Sequence, residues 1–298
     1  MIERRLFLGG TLGAAALLAG SVKASTLRPF DAAQRLRSLE QGDARLGVCF
    51  LDTATGEVAG NRLEEHFAFC STFKLALVGS YLREADAGRI SLDEILPYGE
   101  SDLLSWAPRT SENLQKGGMS IAALAQAAQE VSDGTAANLL VRRLGGPAAV
   151  TAKFREMGDN VTRLDRYEPM LGMVLSADMR DTTTPLAMAN LVARLTTGDL
   201  LSPRSRQMLV DWMVSTVTGF KRLRGGLPAD WRSGNKTGTG RATGTTNKVN
   251  DVAITFPPGR APVIIAAYYD SGEFTEQTED RHQAVLAQVG KIAGVWAA

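Results

Sequence analysis

Apolar residues recur along the chain with two periods, and the switches between them set the first expectations. Phe30, Ala33, Leu36 and Leu39 are spaced near 3.6 residues, which predicts a helix over 28–41. Ala44–Leu51 reads as a strand ending at the turn Asp52-Thr53-Ala54-Thr55-Gly56, with Glu57–Asn61 as its hairpin partner. From Ser71 the helical period returns. Ser71–Ala87 carries few charges in its first half and is closed by Gly88, the pattern of a helix buried on all sides. Helical patterns continue over Ser120–Glu130, Thr135–Leu144, Pro147–Met157, Thr184–Thr196 and Ser202–Val214. Arg163–Asp181 has no clear period, and a long irregular connection in a compact domain usually carries function. After Gly219 the chain returns to strands at Arg232–Thr239, Val249–Phe256 and Ala261–Tyr269, then ends in a helix over Glu279–Val295.

This order predicts an α/β (α+β) fold of two lobes. Residues 25–69 and 216–298 would share one antiparallel sheet flanked by helices. Residues 70–215 would form an all-helical lobe, with a site where the two meet. Residues 1–24 read instead as a signal peptide. Arg4 and Arg5 form a basic start, Leu8 to Gly20 is uncharged, and Val22-Lys23-Ala24 offers small residues for cleavage. The uncharged stretch falls short of the ~20 residues a spanning helix needs. Arg4-Arg5-Leu6-Phe7-Leu8 also fits a twin-arginine signal, so the export route stays open. The expectation is an exported protein, periplasmic or secreted where the host has no outer membrane, with no stable membrane anchor.

Charge and composition narrow the partners. The 298 residues hold 33 Lys+Arg against 32 Asp+Glu. Removing residues 1–24 leaves 30 basic against 31 acidic residues, so nothing advertises a nucleic-acid partner. Two cysteines rule out a disulfide scaffold. His66 and His282, without HExxH or paired CxxC, argue against a metal site, and no cofactor is expected. No GxSxG occurs, which disfavours a Ser-His-Asp hydrolase.

Three short motifs carry candidate chemistry. Ser71-Thr72-Phe73-Lys74 places a hydroxyl at the positive end of a buried helix and a lysine one turn on, on the same face. A lysine in a partly desolvated pocket can lose its proton near neutral pH and activate a serine. Alone, the pair reads equally as a cap and a solvated side chain. Ser132-Asp133-Gly134 opens the next helix, where Asp133 is a natural cap and Ser132 could relay a proton. Lys236-Thr237-Gly238-Thr239-Gly240 lies on a strand whose glycine lets a ligand backbone come close, with Lys236 supplying positive charge.

Together and in this order, these motifs resemble those of class A serine β-lactamases, within the superfamily that includes penicillin-binding proteins. The resemblance spans essentially the whole mature chain, through Arg163-Leu164-Asp165-Arg166-Tyr167-Glu168-Pro169, Arg180-Asp181-Thr182-Thr183-Thr184-Pro185 and Pro228-Ala229-Asp230-Trp231. It implies the β-lactamase/transpeptidase-like fold and hydrolysis of penicillins and cephalosporins through a serine acyl-enzyme, conferring β-lactam resistance, with an extended or carbapenem spectrum left open: Trp106, Thr239, Arg222 and Cys70 point towards it and Gly240 away. By the same resemblance Ser71 is the nucleophile, with Lys74, or Glu168 through a water, as its base. Ser132 relays the proton, and the backbone N–H groups of Ser71 and Thr239 form an oxyanion hole. Lys236, Thr237, Thr239 and Arg222 would bind the substrate carboxylate, and Trp106 would wall the entrance. Glu168, in a stretch 163–181 similar to the family's Ω-loop, would hold the hydrolytic water. Arg166 and Asp181 match the loop-closing ion pair. Penicillin-binding proteins lack the glutamate and stay acylated, so an exported DD-peptidase-like protein is the alternative. The implied partners are β-lactam substrates and β-lactamase inhibitors, and a monomer is expected.

The chain also departs from the family pattern. Gly134 stands where most members have Asn to contact the substrate's acylamino side chain, which predicts a wider cleft. Gly172 stands where most have an Asn beside the hydrolytic water. Cys70 matches a carbapenem-hydrolysing group in which it is bonded to a Cys after Lys-Thr-Gly-Thr, but here that residue is Gly240. Cys49 and Cys70 are therefore expected as buried free thiols. Gly240–Asn250 is longer than the usual hairpin, and would either overhang the site or lie inert.

Overall fold

Both ends of the chain meet in one sheet. In the computed structural model, which describes residues 30–175 and 177–298, Asp31–Ala298 forms a single unit. The signal peptide read in residues 1–24 lies outside the described residues. Strands β1 (Arg45–Asp52), β2 (Val58–Asn61), β3 (Arg232–Gly240), β4 (Lys248–Phe256) and β5 (Val263–Asp270) pair antiparallel throughout, in the order β2-β1-β5-β4-β3. β4 and β5 are buried along almost their whole length, which is why they read as apolar runs rather than alternating ones.

Helix α1 spans only Ala32–Arg37, shorter than the 28–41 expected. The chain turns out of it because Glu40 is wanted elsewhere. Its carboxylate accepts from Leu46 N–H at 2.8 Å and pairs with Arg62 Nε at 2.7 Å, fixing the start of β1. The middle of the sequence supplies α2 (Phe73–Asp86), α3 (Ile121–Glu130), α4 (Gly134–Arg143), α5 (Pro147–Glu156), α6 (Pro185–Thr196) and α7 (Pro203–Val214); α8 (Asp280–Trp296) closes the chain. Ser120, Asp133, Thr184 and Ser202 cap their helices by accepting the N–H three residues on. Pro147, Pro185 and Pro203 occupy first turns, where a missing N–H costs nothing.

α2 is the axis of the core. Phe73 to Leu82 is buried without a break, with α3, α4, α5, α6 and α7 all packed against it. The helix expected from Ser71 begins instead as a single 3-10 turn, Cys70–Thr72, and becomes α-helical at Phe73. A two-residue pairing, Phe67–Ala68 with Thr182–Thr183, ties the end of the 163–181 stretch to the residues leading into that turn. Among the described residues, no helix is long and apolar enough to cross a membrane.

Candidate active site

The turn before α2 is held from three sides. Cys70 takes φ +49°, and Asn250 Nδ2 donates to Ala68 O at 2.8 Å and Phe69 O at 3.2 Å. Phe69 N–H donates to Asp181 O at 3.1 Å. On the third side β3 comes so close that a Cβ at Gly238 would stand 2.7 Å from Phe69 O. Only glycine permits this approach, and it brings the Lys-Thr-Gly strand alongside Ser71.

Five polar side chains converge there. Ser71 Oγ donates to Glu168 Oε1 at 2.9 Å, and Lys74 Nζ lies 3.1 Å from the same oxygen. Lys74 also donates to Ser132 O at 2.9 Å. Ser132 Oγ accepts from Lys236 Nζ at 2.9 Å. The ammonium groups of Lys74 and Lys236 are thus linked through one serine. Ser132 takes φ +59° because the chain reverses there between α3 and α4. Asp133 secures that reversal. It caps α4 and also accepts from the N–H groups of Arg109 at 3.0 Å and Thr110 at 2.9 Å.

Burial sets the electrostatics. Lys236 is wholly buried, and its ammonium is held well below the usual lysine range, first by desolvation and then by the charge of Lys74. It stands behind the cleft wall and reaches the cleft through Ser132 Oγ. Burial also pulls down the guanidinium of Arg222, which donates to Thr239 Oγ1 at 2.7 Å, Gly238 O at 2.9 Å and Asn250 O at 2.8 Å. Thr237 and Thr218 share a hydrogen bond of 2.8 Å between their hydroxyls.

The 163–181 stretch presents Glu168 by two clamps. Asn138 of α4 brackets its backbone, accepting the Glu168 N–H at 3.0 Å and donating to its carbonyl at 2.9 Å. Asp181, fully buried, pairs with Arg166 Nε and accepts the N–H groups of Asp165 at 2.8 Å and Arg166 at 3.0 Å. Desolvation still pushes the Asp181 carboxyl above its ordinary value, against all three partners.

These residues line a cleft of about 520 Å³ that includes Ser71, Lys74, Ser132, Gly134, Glu168, Thr218, Arg222, Thr237 and Thr239. Trp106, 62% exposed, forms part of its wall and is pinned by Nε1–H to Val131 O at 3.0 Å. A larger cleft of about 710 Å³ beside His66 and Asp270 offers no comparable chemistry, because Arg45 is paired with Glu65 and Lys248 with Asp270. Among the described residues there is no cluster of His, Cys, Asp and Glu that would hold a metal.

Three of the departures have structural consequences. A Cβ at Gly134 would meet Leu104 Cδ1 at 3.1 Å and Trp106 O at 3.2 Å. The 104–106 segment has therefore closed onto the glycine, and the cleft is not simply widened there. Gly172 faces open space, with nothing within 4 Å of where its Cβ would be. The 241–247 segment is not an inert hairpin. Arg241 and Ala242 line the cleft, and buried Asn247 fastens the segment to the next loop through Thr275 O at 3.0 Å.

Cys49 and Cys70 are both buried and free, and burial pushes each thiol up to about 12. A Cβ at Gly240 would stand 2.9 Å from Cys70 Sγ, with Gly172 O and Lys248 Cγ at 3.2 Å. Gly240→Cys is thus expected to form a disulfide with Cys70 once those two neighbours shift slightly. Thiol titration should then find one free thiol, and the oxidised protein should gain about 2–4 kcal/mol over the reduced one. Three titratable thiols would contradict the geometry.

A serine whose hydroxyl meets a glutamate, flanked by two buried lysines joined through a second serine, is an arrangement that can carry out acyl transfer without histidine. Residues 31–297 match the β-lactamase enzyme family. The β-lactamase of Mycobacterium tuberculosis is 41% identical over 293 residues, covering 96% of this chain and 93% of that protein. A carbapenem-hydrolysing β-lactamase, KPC, of Klebsiella oxytoca is 39% identical over 263 residues, 88% of this chain and 87% of that protein. The structure of an ancestral class A β-lactamase superposes with a TM-score of 0.84 at 48% identity, covering 90% of this chain and 100% of the other. The chain belongs to the β-lactamase enzyme family, in its class A branch.

Proposed function

We propose that the protein hydrolyses the β-lactam ring through an acyl-enzyme on Ser71 and so confers β-lactam resistance. The observation that carries this is the shared oxygen of Glu168, within hydrogen-bond reach of both Ser71 Oγ and Lys74 Nζ. In acylation Ser71 Oγ bonds to the lactam carbonyl carbon while its proton passes to the Glu168–Lys74 pair. The backbone N–H groups of Ser71 and Thr239 receive the oxyanion, each donor worth about 10²–10³ in rate. The C–N bond then breaks and Ser132 gives its proton to the departing nitrogen, resupplied through Lys74 or Lys236. In deacylation Glu168 takes a proton from water, the hydroxide bonds to the acyl carbon, the bond from that carbon to Ser71 Oγ breaks, and the proton passes to Ser71 Oγ. Lys236, Thr237, Thr239 and Arg222 hold the substrate carboxylate, while Trp106 and the 104–106 segment beside Gly134 bound the other side. Arg166 and Asp181 keep the Glu168 stretch closed.

Penicillins and cephalosporins are the proposed substrate classes. The two-lobe division, at 25–69 with 216–298 and at 70–215, belongs to the same reading, as does export to the periplasm on the signal in residues 1–24. The family's class A inhibitors are expected to react at Ser71.

Mass spectrometry with a penicillin and absorbance with a chromogenic cephalosporin test the whole scheme. The wild type should turn colour rapidly with a transient adduct, and Ser71→Ala should lose both. A stoichiometric, lasting adduct on the wild type would mean a penicillin-binding protein instead.

A further inference from the structure

Asp251 is a fully buried carboxylate that no step above uses. It lies on β4 opposite Thr237 of β3, so the two side chains stand on the same face of the sheet. Its Oδ1 accepts from Asn235 Nδ2 at 2.7 Å and its Oδ2 from Leu223 N–H at 3.3 Å. Asn235 Nδ2 also reaches Thr218 O at 3.3 Å. Between these ties Gly219, at φ +86°, is pressed so close that a Cβ would stand 2.6 Å from Asn235 Nδ2 and 2.7 Å from Thr237 Cγ2. The 218–223 segment is thus fastened to β3 and β4 at both ends, and it carries Thr218 and Arg222 into the cleft.

The charges give this fastening a second role. Three cations, Lys74, Lys236 and Arg222, crowd the site with little solvent, and buried cations without counter-ions are costly. Glu168 faces them from the cleft and contacts Lys74. Asp251 lies on the neighbouring strand, one residue from the position opposite Lys236, and its charge acts on both Lys236 and Arg222, while Arg224 acts on it in turn. Asp251 and Glu168 both favour the Lys236 ammonium. The Nε atoms of Arg222 and Arg224 are buried without hydrogen-bond partners among the described residues, so Asp251 is the buried carboxylate whose charge offsets theirs.

We propose that Asp251 is the positioning residue of the substrate-carboxylate subsite. As the buried carboxylate behind the Lys-Thr-Gly strand, it offsets the buried charge of Lys236 and Arg222 and holds 218–223 in place. It thereby sets how tightly the cleft grips the anionic end of a β-lactam rather than how fast the ring opens. This rests on the β-lactam reading above and names the residue that tunes its subsite.

The test compares wild type and Asp251→Asn on a penicillin and on its methyl ester, with kcat and KM followed across pH. The variant should raise KM for the acid about tenfold or more, with kcat changed only a few-fold. Its alkaline limb of kcat/KM should move to lower pH, because Lys236 without its counter-ion gives up its proton sooner. On the ester, which lacks the anion, variant and wild type should have the same KM. Equal KM increases on acid and ester, or a fall in kcat at unchanged KM with an unmoved alkaline limb, would overturn the proposal. KM does not depend on the folded fraction, so partial unfolding cannot imitate the expected split. If Asp251→Asn does not fold, Asn235→Ala must show the same split in smaller size, and its absence overturns the proposal equally. Wild-type hydrolysis of the acid is read first. If the ring stays closed, the β-lactam reading itself has failed and this proposal falls with it.

Discussion

Glu168→Ala becomes acylated by a penicillin and then stops. The variant keeps Ser71, Lys74, Ser132 and Lys236 and loses only the carboxylate that Ser71 Oγ and Lys74 Nζ share. Deacylation needs a base for water, and removing a positioned base costs about 10²–10⁴ in rate. Acylation keeps the buried lysines and the oxyanion donors, so it should suffer less. Intact mass should show one equivalent of adduct persisting on the protein, and a chromogenic cephalosporin should give a burst of one equivalent followed by a slow steady state. Wild-type turnover in this variant would remove Glu168 from deacylation. Loss of the adduct along with the turnover would make it the indispensable base for acylation as well.

Arg166→Ala is expected to cost about 3–5 kcal/mol of folding stability, as when one partner of a buried ion pair is removed. Asp181 is fully buried, and without Arg166 it keeps only the N–H groups of Asp165 and Arg166. The loss should depend on pH with a definite sign. Desolvation already raises the Asp181 carboxyl in the folded protein, and removing the guanidinium raises it further. A carboxyl raised on folding contributes stability below its unfolded value and loses that contribution as pH rises through its folded value. The deficit should therefore be largest near pH 7 and shrink towards pH 5, where the stranded carboxyl can bind a proton. Denaturant melts of both proteins at the two pH values measure this. A deficit that grew on acidification would show that Asp181 is not the group left stranded. Deacylation should fall with stability, since the same clamp carries Glu168.

Periodicity exposed the sheet, the buried helix and the irregular stretch because each leaves a pattern in consecutive residues. It placed the boundaries less well. Glu40 leaves its helix for Arg62, just past β2, and Ser71 enters its helix through a tighter turn imposed by Asn250 and β3. Both causes lie far away in sequence. The candidate site divides in the same way. Ser71, Lys74, Ser132, Glu168 and Lys236 could be grouped because each sits in a recognisable short motif. Asn138 could not. It is a polar residue in mid-helix, and nothing in its spacing says that it brackets the backbone of a residue thirty positions on. Asn235 and Asp251 were equally silent, since diagonal positions on neighbouring strands become partners only once the register is known. Gly134 was legible as a departure, but its consequence depended on the 104–106 segment, which sequence alone left free to lie elsewhere.

β3 is the outermost strand of the sheet. A border strand presents a row of unpaired N–H and C=O groups, a standing invitation to any passing strand and a common origin of aggregation. Part of this border, at Thr237, Thr239 and Gly240, opens into the cleft with the Ser132 turn and the Trp106 segment around it. A short ligand that ends within the cleft can dock on those backbone groups. What would be a liability on an open sheet edge thus becomes one wall of the cleft.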